Sequence, residues 1–175
     1  GTVLSVAHGE LLNSKVESVK LGKAGSPGEI KGIFYEADRP LGKLTLNTEY
    51  GIFGNTYEQI LNPIYQKPLQ IAYQNEVRKG PAYILTTLEG DKIEKYSIVI
   101  EKINRQTKAD TKSMVIRVTD KRLLAKSGGI IQGMSGSPII QRDKIVGAVT
   151  HVFVNDPQKG YGIFIEWMLQ DLRIE

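Results

Sequence analysis

Short runs of apolar, β-branched and aromatic residues recur along the whole chain, and each is closed by Gly, Pro, Asn or Asp. Runs of this kind predict strands over residues 11–19, 32–35, 43–46, 51–57, 69–72, 82–88, 92–103, 114–118, 138–141, 144–154 and 162–165. Turn chemistry sits between them: Gly25-Ser26-Pro27-Gly28, Asp38-Arg39-Pro40-Leu41-Gly42, Asn62-Pro63, Lys79-Gly80-Pro81 and Glu89-Gly90-Asp91. Glu89-Gly90-Asp91 and Arg142-Asp143 each lie between two apolar runs and read as hairpin turns. Residues 51–56 read as a strand with a bulge, because both glycines there need only backbone freedom. Residues 102–112 are polar and read as an exposed loop.

Helical periodicity is confined to two places. Residues 122–126 can form a turn capped by Asp120, and residues 166–173 place Trp167, Met168, Leu169 and Leu172 on a face that can pack on a sheet. Many strands at short spacing with little helix indicate an all-β sandwich or barrel.

The chain has 175 residues, which suits one domain, or two very small halves sharing a core. Charged residues make up 24% and hydrophobic ones 41%, which excludes global disorder. The net charge of +4 is mild and dispersed, with no aromatic-rich basic stripe, so nucleic-acid binding is disfavoured. Cysteine is absent, which removes disulfides, thiolate zinc sites and a Cys nucleophile. Histidine occurs only at His8 and His151, a pair that suggests no zinc site, and Asn155-Asp156-Pro157 reads as a turn. No metal or cofactor is implied. No stretch reaches the ~18–20 apolar residues of a membrane span. Gly1-Thr2-Val3-Leu4-Ser5-Val6 lacks the basic start of a signal peptide, so an exporting segment would lie outside this sequence.

The chemistry concentrates in Gly133-Met134-Ser135-Gly136-Ser137-Pro138, set between an apolar run and a strand. A nucleophilic serine needs an exposed hydroxyl on a tight, glycine-flanked turn with backbone N–H groups free to hold an oxyanion. Gly133 has the backbone freedom to turn its N–H toward such a point, and Pro138 can open the next strand. A bare Gly-x-Ser-Gly is also an ordinary turn in a β protein; the longer pattern, followed by two apolar strands, is much more specific.

This loop resembles the nucleophile loop of chymotrypsin-like serine peptidases. Residues 133–141, 146–157, Gly160-Tyr161-Gly162-Ile163 and Ile165-Glu166-Trp167-Met168 resemble the stage IV sporulation protein B peptidase family. Gly25-x-Pro27-Gly28-Glu29, Tyr50-Gly51-Ile52-Phe53-Gly54 and Glu76-Val77-Arg78-Lys79-Gly80-Pro81-Ala82 resemble it too, so the likeness runs from about Gly9 to Trp167.

The resemblance implies a chymotrypsin-like double β-barrel with a short C-terminal helix. It implies a single peptidase domain over residues 1–175, its two halves meeting at about 65–80, without the PDZ domain that family members carry. Ser135 would be the nucleophile, and the N–H groups of Gly133 and Ser135 the oxyanion hole. It further implies a serine endopeptidase of sporulation signalling, exported to the space between forespore and mother cell. Such an enzyme cleaves itself and a membrane-anchored regulator, triggering sigma-factor processing. Asp120, in Thr119-Asp120-Lys121-Arg122-Leu123-Leu124, matches the family's acid, whereas its position alone favours a helix cap. His151 has two readings of equal weight, as a substrate contact in the wall of the specificity pocket or as a structural histidine bonded to a carbonyl or to Asp156. A role as catalytic base is a weaker third. The family's base lies in a Gly-His motif with no counterpart here, and His8 falls after that position. A stretch carrying the base is therefore expected to be missing from this sequence. The competing reading is a catalytically inactive, peptide-binding pseudo-peptidase.

Overall fold

The computed structural model describes residues 9–170 and 172. Twelve strands and two short helices follow in the order β1 (Gly9–Leu11), β2 (Ser14–Lys20), β3 (Glu29–Phe34), β4 (Gly42–Thr48), β5 (Gly51–Thr56), β6 (Gln70–Ile71), β7 (Gly80–Thr87), β8 (Ile93–Ile103), β9 (Met114–Val118), α1 (Lys121–Ser127), β10 (Pro138–Gln141), β11 (Lys144–Phe153), β12 (Asp156–Phe164) and α2 (Ile165–Gln170).

The second half forms a closed barrel. Its strands run β10-β7-β8-β9-β12-β11, and β10 pairs again with β11 to complete a ring of six. The inward alternation of β7 to β9 explains why: Ile84, Tyr96, Ile98, Ile100, Met114, Ile116 and Val118 are all buried, with Ile139, Val149, Ile163 and Phe164 from the closing strands. Two-residue hairpins hold the register. Arg142 and Asp143, both with left-handed φ (53° and 57°), join β10 to β11. Val154 and Asn155 join β11 to β12, with Phe153 facing Asp156 across the hairpin. The turn expected at 155–157 is thus shifted, and Asp156 and Pro157 already belong to β12.

The first half is more open. β1, β4 and β5 make a three-stranded antiparallel sheet, and β2 with β3 a two-stranded one. The fold is all-β with a short C-terminal helix, as expected, but among the described residues only the second half closes as a barrel. The single strand expected over 11–19 is two strands that join different sheets. The bulge expected in β5 lies on its partner: Leu44 faces Gly54 and Leu46 faces Phe53, leaving Thr45 as the extra residue. The β7–β8 hairpin tip reaches the first half, where Val16 and Gly90 exchange both backbone hydrogen bonds (2.6 and 3.2 Å).

The 104–113 segment is less solvent-bound than its polarity suggests. The buried Ser113 hydroxyl donates to Gln106 Oε1 (2.9 Å) and accepts from the Phe164 N–H (3.0 Å), while the Trp167 indole donates to the same Gln106 oxygen (2.7 Å). These bonds seat α2 against the barrel.

Candidate active site

Ser135 stands exposed in the loop between α1 and β10, flanked by the buried Met134 and the exposed Gly136. Buried Met134 anchors the loop, and three backbone bonds shape it: Met134 N–H to Ile131 O, Ser137 N–H to Met134 O and Gly136 N–H to Val149 O (3.2, 3.0 and 2.9 Å). Among the described residues, the N–H groups of Gly133 and Ser135 donate to no acceptor. Two free amides bracketing a buried residue, beside the spent amides of Gln132, Met134, Gly136 and Ser137, suit the binding of an oxyanion. Gly133 has φ +99°, and a Cβ there would lie 2.9 Å from the Ile30 Cβ, so both backbone and space demand glycine.

The Ser135 hydroxyl donates to the Thr150 carbonyl at 2.9 Å. Thr150 sits where the β11–β12 register shifts, between Val149 and His151. β10 pairs with β11 only as far as Ala148. From Thr150 to Phe153 the backbone edge of β11 away from β12 accepts, among the described residues, only the Ser135 hydroxyl.

A cavity of about 520 Å³ opens beside Ser135, between the β4–β5 turn and the barrel. Ser135, Gly136 and His151 line it with an apolar set that includes Tyr50, Ile52, Ala148, Ile163 and Met168. His151 makes no side-chain hydrogen bond with Asp156 or any other described residue. Burial pushes its imidazole below the usual histidine range, and the Lys112 cation adds to the effect, so it is neutral at neutral pH. A second cavity, of about 500 Å³, lies on the other side of the serine loop, against Gly133, Ser137 and Thr87.

Asp120 is placed elsewhere. It is the N-cap of α1, accepting from the Arg122 and Leu123 N–H groups, from the Ser97 N–H and from the Arg122 guanidinium. Burial pushes its carboxyl up, but these donors outweigh it and hold it below the usual carboxylate range. None of its hydrogen bonds reaches Ser135 or His151, and it does not line their cavity. In this structure Asp120 is the cap of α1. His8 lies outside the described residues.

The segment 22–30, expected to hold a turn at residues 25–28, also supports the serine loop. Gly22 N–H donates to Ser127 O, Gln132 N–H to Gly28 O and Ile30 N–H to Gln132 O (2.8, 3.0 and 2.8 Å), bracing the serine loop from the first half. The signal for it was Gly28, whose Cβ would fall 2.3 Å from the Lys20 carbonyl oxygen.

Residues 1–169 match the family model of the SpoIVB peptidase, S55. The chain belongs to the SpoIVB peptidase family. Among curated proteins none matches its sequence. Among solved structures, it resembles the Rv3671c protease in its inactive form, with a TM-score of 0.50 and 14% identity over 95% of this chain and 87% of that one. That likeness speaks to the fold, an all-β barrel architecture shared with a protease. SpoIVB peptidases are hydrolases of peptide bonds, and the peptidase assignment of this chain rests on the family match.

Proposed function

We propose that this SpoIVB-family chain is a serine endopeptidase acting by acyl transfer through Ser135. The observation that carries the reading is the exposed Ser135 hydroxyl on a loop whose Gly133 and Ser135 amides are unspent. The peptide lies along the unpaired edge of β11 as an added strand, with the side chain before the scissile bond in the cavity lined by Ala148, Ile163 and Met168. His151 contacts that side chain as a neutral imidazole. Attack requires the Ser135 proton to leave the Thr150 carbonyl for an imidazole base, and the developing oxyanion to settle on the two amides. The family name supports a role in sporulation signalling. We propose as substrates the chain itself and a membrane-anchored regulator, with export to the space between forespore and mother cell and a PDZ domain in the full-length protein.

A second reading, a non-catalytic peptide-binding domain, is favoured by two observations: the Ser135 proton rests on a carbonyl, and Asp120 caps α1. A fluorophosphonate probe separates the two. In a protein that includes the upstream segment, labelling at Ser135, lost in Ser135→Ala, is the expected result; such a protein, folded yet left unlabelled by mass spectrometry, establishes the pseudo-peptidase instead.

A further inference from the structure

The orientation of the Gly133 N–H is not set within the serine loop. The peptide joining Gln132 to Gly133 is planar and trans, so its N–H points opposite to the Gln132 carbonyl. That carbonyl accepts the Ile30 N–H at 2.8 Å, and the Gln132 N–H donates to Gly28 O at 3.0 Å. Residues 29 and 132 thus form a parallel bridge between the first strand pair and the serine loop. Both peptide planes around Gln132 are held from outside, by one stretch of chain distant in sequence.

Without the Ile30 bond little would resist a flip of this peptide. Gly133 carries no Cβ, and glycine occupies positive and negative φ about equally well. A flip would exchange the N–H for the Gln132 carbonyl oxygen, which repels an oxyanion. The Ile30 side chain adds a second restraint, since its Cβ lies 2.9 Å from where a Gly133 Cβ would stand. Ile30 is itself anchored, packed against the core and facing Val19 across the β2–β3 pair. At Gly28 any Cβ would collide with Lys20, Gly22 and Ile131, so the close approach there requires glycine.

We propose that Ile30 is a positioning residue of the oxyanion hole: its N–H, by fixing the Gln132 carbonyl, keeps the Gly133 N–H turned toward the reacting carbonyl. This rests on the reading of Ser135 as nucleophile. The consequence is that the first half of the chain governs the catalytic competence of a loop in the second half.

The test compares an acetyl-tripeptide aldehyde ending in leucinal with its leucinol counterpart. Ser135 Oγ adds to the aldehyde carbon, the carbonyl π bond opens, and the serine proton ends on the former carbonyl oxygen, giving a hemiacetal whose oxygen sits in the hole. The alcohol binds the same subsites without that bond, so the ratio of the two affinities reports on the serine and the hole together. For a wild-type protein that includes the upstream segment, the aldehyde is expected to bind ~100-fold tighter or more, in line with the effect of single oxyanion donors. Ile30→Pro deletes the N–H, and so does the α-hydroxy acid analogue of isoleucine introduced at position 30, which keeps the side chain. Each is expected to cut the ratio by about tenfold or more with alcohol affinity unchanged. Ile30→Val, which keeps the N–H, is expected to leave both affinities unchanged. If circular dichroism shows the proline variant unfolded, the ester variant decides. An unchanged ratio in the folded N–H-deleted protein overturns the positioning role and leaves Ser135 standing. A wild-type ratio near one removes the Ser135 reading and the inference with it.

Discussion

His151 is the described imidazole beside the candidate nucleophile, and its environment disfavours its charged form. Burial is the largest cause, and the Lys112 cation adds to it. The folded imidazole therefore titrates below the unfolded one. Its contribution to stability is present above the unfolded pKa and is lost as pH falls through that value toward the folded one. An NMR titration of the His151 ring is expected to show a midpoint below that of a histidine in a disordered peptide, and Lys112→Gln is expected to move it up. A midpoint at or above the ordinary value contradicts the arrangement. The features legible at this scale are those carried by local chemistry. Gly133 and Ser135 stand out in the sequence because a Gly-x-Ser-Gly-Ser-Pro run has few other reasons to precede a strand. Asp120 is legible as a cap from its place before Arg122. Its relation to Ser135, by contrast, depends on how far apart the fold sets them, and no local pattern encodes that.

At the scale of elements, α1 tests the Asp120 assignment. Its carboxylate caps two helix amides and a β8 amide, so Asp120→Ala is expected to cost about 1 kcal/mol, up to ~2 kcal/mol. Asparagine caps nearly as well, so Asp120→Asn is expected to lose much less in a denaturant titration. If Asp120 orients a catalytic imidazole, Asp120→Asn instead abolishes Ser135 reactivity while the melting temperature holds. The expected outcome is that reactivity follows stability in both variants. The carboxyl is held low by its donors. Its contribution is thus full above the unfolded pKa and lost as pH falls through the folded one, so the gap between wild type and Asp120→Ala is expected to narrow in acid. A second element-level prediction concerns α2. Ser113→Ala leaves the buried Phe164 N–H without its acceptor, and is expected to cost about 1–3 kcal/mol by thermal or chemical unfolding. Most strands were legible from alternation bounded by turn residues. The exceptions were made by pairing: β12 begins at Asp156 because Phe153 faces it, and 11–19 breaks because its two parts join different sheets.

For the molecule as a whole, the apolar cavity is a joint product of the two halves, with the β4–β5 turn on one side and β11, β12 and α2 on the other. Ile52 lies on its rim and is 57% exposed, so it can be changed without disturbing a core. Ile52→Arg is expected to leave the melting temperature unchanged. It is expected to weaken binding of the leucinal peptide by about three- to tenfold, the scale of part of one apolar side chain's burial. Equal affinity in the two proteins removes the β4–β5 turn from the subsite. Neither this cavity nor the brace at Gln132 was visible in the sequence, because both join segments far apart along the chain.

The doubling back of β10, paired to β7 on one side and β11 on the other, has a further bearing on behaviour in concentrated solution. Apart from the Thr150–Phe153 edge of β11, the ring of strands presents no continuous ladder of unpaired amides to a neighbour, so most of the barrel is protected against edge-to-edge aggregation. Among the described residues, the two small sheets of the first half keep such edges. Strand-swapped or fibrillar association of this protein is therefore expected to begin in residues 9–56 or at that β11 edge, and charges engineered onto the outer edges of β2 or β5 would suppress the first route.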